Sequence, residues 1–122
     1  MAPQPYTFKR QVTLSSLGTG NISIVQSVGL KFHGKRWIWN SQGIFNLVDL
    51  AINNSTHLID ASIANPIKSA ALQQQASPNF NWDRFESELL IDSNQTLTLS
   101  FVDTSAGSNL VELTLIGIMD FP

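Results

Sequence analysis

TLTLSFVDTSAGSNLVELTLIGIM, residues 96–119, alternates apolar and polar residues on both sides of one polar turn. Leu97, Leu99 and Phe101 fall on one side of an extended chain, and Thr96, Thr98 and Ser100 on the other. After the turn DTSAGSN, Val111, Leu113 and Leu115 repeat the pattern against Glu112 and Thr114. A period of two belongs to a β-strand with one face buried, whereas a helix repeats near 3.6. From Leu115 to Met119 both sides are apolar. A strand of that kind is buried on both faces, and a neighbouring subunit is one candidate cover.

The same period recurs upstream. Tyr6, Phe8, Val12 and Leu14 share a side that Arg10 interrupts, opposite Thr7, Lys9, Gln11 and Thr13. The turn SSLGTGN leads into NISIVQSVGLKFHG, where Ile22, Ile24, Gln26, Val28, Leu30 and Phe32 share a face. Gly29 inside that run marks a bulge or a close backbone approach. HGKRWIWNSQG reads as a loop. Residues 44–52 are apolar on both sides, as a central strand requires, and Asn53-Asn54-Ser55-Thr56 turns them into a returning strand over 57–63. Asn65-Pro66 opens either a short helix through Leu72 or an irregular crossover. QQQASPNFNWDRF is a long connection of mixed character. The expected fold is an all-β antiparallel β-sandwich, jelly-roll-like, with seven to eight strands. Residues 1–5, with Pro3 and Pro5, form an extended N-terminal arm, and residues 6–122 form one domain.

Composition narrows the function classes. The chain has no cysteine, which excludes a disulfide framework, a cysteine nucleophile and thiolate metal sites. Charged residues make up 13%, about half the usual share. So sparse a charge suits a surface covered by a partner or by copies of itself, or an ordinary Ser/Thr-rich β surface. Residues 1–48 hold Lys9, Arg10, Lys31, Lys35 and Arg36 and no acid. Residues 49–122 hold all nine acids against Lys68 and Arg84. Either copies attract head to tail, or folding interleaves the two halves. The net charge of −2 gives no reason to expect nucleic-acid binding. No apolar run approaches a membrane span, and MAPQPYTFKRQ has no apolar core of a secretion signal. The N-x-[ST] matches at Asn21, Asn53, Asn54 and Asn94 then read as chance.

Chemistry-bearing motifs are few. His33 and His57 stand in no metal-pair or triad spacing, and no phosphate-binding glycine loop or nucleophile elbow occurs. Asp83, Glu86, Glu88 and Asp92 cluster in WDRFESELLID. They read as a solvated or interface face before a calcium or glycosidase site. KFHGKRWIW, residues 31–39, interleaves Lys31, Lys35 and Arg36 with Phe32, Trp37 and Trp39. That mixture suits phosphates, bases, sugars or a protein hot spot. The i, i+2 spacing of the tryptophans equally suits a strand packing into the core. The interface candidates are Trp37, Trp39, Arg36, Trp82, Phe85, Ile116 and Ile118. No catalytic residue, metal or cofactor is expected.

FESELLIDSNQTLTLSFVDTSAGSNLVELTLIGI, residues 85–118, resembles the last strands of small jelly-roll or β-sandwich structural proteins of tailed-bacteriophage virions. The lead-in Glu88-Leu89-Leu90-Ile91, the turn Asp92-Ser93-Asn94-Gln95 and the closing Leu115-Ile116-Gly117 carry the likeness. NLVDLAINNSTHLIDASIANPI, residues 46–67, is similar to their preceding hairpin. The resemblance implies a capsid decoration or cement protein, not an enzyme. It also implies a homotrimer that clamps major capsid or other virion protein subunits, in a virion assembled in the host cytoplasm. The alternative is a carbohydrate- or receptor-binding module of a fibre or tail, resting on Trp37, Trp39 and Trp82.

Overall fold

A computed structural model describes residues 2–72 and 84–122, with side chains for 3–72 and 88–122. Nine strands run in chain order: β1 (Ala2–Leu14), β2 (Thr19–Val25), β3 (Lys31–Ser41), β4 (Phe45–Ile52), β5 (Thr56–His57), β6 (Ile67–Lys68), β7 (Arg84–Asp92), β8 (Thr96–Asp103) and β9 (Asn109–Phe121). One helical turn, α1 (Ser69–Leu72), follows β6.

Two antiparallel sheets pack face to face. Sheet I has the order β1-β9-β3-β7, and sheet II the order β2-β8-β4-β5, with β6 also pairing with β4. Each long strand lies in the opposite sheet from the long strand before it. That alternation gives the jelly-roll order and lets the core fill from both sides. The turn at 104–108 therefore carries the chain from one sheet to the other rather than closing a hairpin.

Alternation explains which residues meet. Leu97, Leu99 and Phe101 of β8 face Val111, Leu113, Leu115 and Met119 of β9 across a fully buried interior. β4 keeps its apolar residues inside despite changing parity. A bulge between Leu47 and Asp49 lets Phe45 and Leu47 point inward before it, and Leu50 and Ile52 after it. The expected returning strand over 57–63 pairs only at Thr56 and His57.

Three readings need correction. The 21–34 run is two strands in different sheets. Gln26 leaves β2 with its side chain buried, its Oε1 accepting the Val28 and Gly29 N–H groups at 3.0 Å each. Its Nε2 donates to the Gly29 and Ile91 carbonyls. A self-satisfied glutamine thus lets the chain cross between sheets while apolar residues continue every second position. The stretch read as the loop HGKRWIWNSQG is mostly β3, paired with both β7 and β9. Residues 2–5 are extended, but they belong to β1, in register with 118–121. Their prolines sit on an edge strand, where a missing N–H costs no ladder bond.

Close approach fixes two glycines. A Cβ on Gly117 would overlap the His33 carbonyl and lie 2.8 Å from Phe32 Cζ, and Gly34 stands directly opposite. The buried Phe32 ring lies against this glycine pair and meets Phe8 edge-on at 4.9 Å. Near the end of β9, Gly29 lies against the Met119 side chain and the Asp120 carbonyl.

Candidate interaction surface

Sheet I turns its outer face to solvent. Register places Pro5, Ile118, His33 and Leu90 in one row across four strands, and Thr7, Ile116 and Arg36 in the next. Lys9, Thr114 and Ile38 follow. Leu90 is 45% exposed, Ile38 42% and Ile118 38%. Apolar side chains thus run across the middle of a sheet whose other face is core.

Charges flank them. His33 Nδ1 contacts Glu88 Oε2 at 2.5 Å, and its Nε2 contacts Asp120 Oδ2 at 2.9 Å, so one imidazole bridges β7, β3 and β9. Lys35 shares Glu88, Lys31 lies 3.5 Å from Asp92, and Lys9 lies 3.6 Å from Glu112. The hydrogen bonds to Glu88 and then Asp120 raise the His33 pKa above its ordinary value. Lys35 and then His33 hold the Glu88 carboxyl below its own. Basic β1 and β3 therefore interleave with acidic β7 and β9, and the charge asymmetry along the chain cancels in the fold. His33 gave no motif because its partners lie 55 and 87 residues away.

KFHGKRWIW does not form a basic-aromatic platform. Strand geometry sends Trp37 and Trp39 inward, 2% and 7% exposed, while Lys35, Arg36 and Ile38 point out. The tryptophans pack edge to face at 5.3 Å, and Trp39 meets Phe45 and Phe101 at 5.8 and 5.7 Å. Neither is available to a partner, a base or a sugar. Arg36 is exposed on the outer face beside the half-buried Ile116 and the more open Ile118. Trp82 lies outside the described residues, as does the Phe85 side chain, so the structure brings together Arg36, Ile116 and Ile118 from the predicted set.

A second polar cluster closes one end of the sandwich. Asp103, at the end of β8, is 1% exposed. It accepts hydrogen bonds from the Leu17 N–H at 2.9 Å, the Ser105 hydroxyl at 2.8 Å and N–H at 3.2 Å, and Asn109 Nδ2 at 3.1 Å. Burial alone would push its carboxyl up. The donors outweigh that and hold it below its ordinary value. Leu17 itself, 69% exposed, sits at φ 56° in the left-handed region, held there by that bond.

On sheet II's outer face, Val48, Asp49, His57, Ile59, Ala61, Ser62 and Ile63 line an open cleft of about 520 Å³. Asp49 Oδ1 lies 2.9 Å from His57 Nδ1 and also accepts the Leu50 N–H. Ser62 Oγ accepts the Asn65 N–H. His57 thus orients on a carboxylate, but the cleft's serine is engaged with its own turn. Among the described residues no group of three or more His, Asp or Glu side chains is placed to hold a metal ion. Compared with protein-family models, curated proteins and solved structures, the chain gives no match.

Proposed function

We propose that the protein is a virion structural protein of the capsid decoration or cement type. It stabilises a shell by associating with itself and clamping capsid subunits. The observation that carries the reading is the jelly-roll strand order, β1-β9-β3-β7 against β2-β8-β4-β5, an architecture used for capsid domains. The apolar rows on the outer face of sheet I and the low charge content support it. Lectins share the architecture, so the aromatic residues discriminate. With Trp37 and Trp39 in the core, a carbohydrate-binding reading loses two of the three tryptophans that motivated it.

Light scattering of the purified chain over a wide concentration range tests the self-association, and a particle larger than a monomer is expected. A monomer at every concentration sinks the reading. So does a gene whose neighbours encode no capsid, portal or packaging protein.

A further inference from the structure

We propose that the outer face of sheet I is a two-fold contact between two copies of this chain, centred on Ile116 and Ile118 of β9. The proposal rests on the self-association reading and names the face that performs it.

The choice of a second copy comes from the charges. On this face Lys31 pairs with Asp92, Lys35 with Glu88, Lys9 with Glu112, and His33 with both Glu88 and Asp120. Pairs closed within one chain ask for no partner of opposite sign. A nucleic acid or a strongly charged protein gains little there. An identical face meets no like-charge repulsion, and an isologous contact requires that self-compatibility.

The layout supports the same partner. A two-fold axis lying in the plane between the two copies' sheets, perpendicular to the strands and crossing β9 between Ile116 and Ile118, sets Ile116 of each copy over Ile118 of the other. It also reverses the rows, so the row of Lys31, Asp92 and Asp120 lies over the row of Lys9, Thr114 and Ile38. Ile116, Ile118 and Leu90 become the centre, with His33 between Ile118 and Leu90, and the Lys9–Glu112 and Lys31–Asp92 pairs become a polar rim. Four strands about 4.8 Å apart and roughly nine residues long present close to 600 Å² per copy. The pair then buries about 1,200 Å², above the ~1,000 Å² expected of a specific interface. A pair built on this face is a dimer, unlike the trimer that the resemblance implies.

The cysteine-free sequence makes a clean test. In Ile116→Cys or Ile118→Cys, a bis-maleimide long enough to span packed sheets, which lie about 10 Å apart, gives a covalently linked dimer. Asn21→Cys, exposed on the sheet II edge strand β2, stays monomeric on a denaturing gel. Ile118→Asp and Leu90→Asp each halve the solution mass while circular dichroism stays that of the native sandwich. If the native chain associates but both aspartate variants keep its mass, this face is wrong and the self-association reading stands. An odd-numbered native particle, or the absence of either cysteine cross-link, also overturns the two-fold contact. A native chain that is monomeric throughout overturns both. Should an aspartate variant unfold, the cysteine cross-links decide.

Discussion

Asp103 and His33 are both anchored carboxylate–donor centres, yet pH acts on them in opposite directions. Asp103 has a lowered pKa in the fold. Its contribution is present above the unfolded carboxyl pKa, near 3.8, and is lost as pH falls through the folded value. Asp103→Ala leaves the Leu17 and Ser105 N–H groups without their acceptor, while the Ser105 hydroxyl keeps the Gly107 carbonyl and Asn109 Nδ2 the Ile44 carbonyl. Buried unpaired donors cost about 1–3 kcal/mol each, so a loss of about 2–4 kcal/mol in urea unfolding is expected. His33 has a raised pKa in the fold. Its contribution is complete below the unfolded value of 6.5 and is lost as pH rises through the folded one. Above that point the neutral ring donates to only one of Glu88 and Asp120, and those carboxylates repel. The native protein's melting temperature should therefore fall as pH climbs from about 6 to about 9, by the linkage of proton binding to folding. In His33→Gln the fall should be absent. An equal fall in the variant would show that another group carries it. At Gly117 the constraint is space rather than charge. Gly117→Ala forces a methyl group into the His33 carbonyl and towards the Phe32 ring. Such overpacking costs about 1–3 kcal/mol, read as a lower urea midpoint at unchanged slope.

At the scale of elements, β8 and β9 were legible because nothing breaks their period. Leu97 to Asp103 and Asn109 to Met119 bury every second residue, as the residues alone foretell. β2 and β3 blurred into one run because Val28, Leu30 and Phe32 continue the spacing of Ile22 and Ile24. Only Phe32 is buried, and Val28 and Leu30 are 46% and 43% exposed. The break is made by a buried glutamine bonding its own loop, which hydropathy does not register. β3 looked like a loop because Gly34, Lys35 and Arg36 crowd one spot. They mark a bulge between two regularly paired halves, which puts two charged neighbours outside in succession and returns Trp37 to the core. Fluorescence checks that placement. With Trp82→Phe removing the third indole, Trp37 and Trp39 should emit at short wavelength and resist iodide quenching. Red-shifted, quenchable emission would put them on the surface. Truncating either to Ala should cost about 3–5 kcal/mol, as buried aromatics do.

For the whole molecule, topology was the part least open to sequence reading. Alternation says how many strands have an inside, not which sheet each one joins. The crossings depend on polar side chains whose partners lie far along the chain, as Asp103 with Leu17 and Gln26 with Ile91. The same long-range pairing decides how the charges act between molecules. A head-to-tail attraction between a basic half and an acidic half would weaken steeply with salt, since ions screen exposed charges beyond about 10 Å at 0.1 M. In the fold those halves are interleaved, with Lys9 on Glu112 and Lys31 on Asp92. The residues left to drive association are Ile116, Ile118, Leu90 and Ile38, and apolar burial does not weaken with salt. Sedimentation equilibrium in about 50 mM and about 500 mM sodium chloride separates these cases, because the screening length falls severalfold across a tenfold rise in salt. A self-association constant that holds or tightens at the higher salt is expected. A drop of tenfold or more would mean that charges joined the copies, and that the apolar rows of sheet I are not what holds them together.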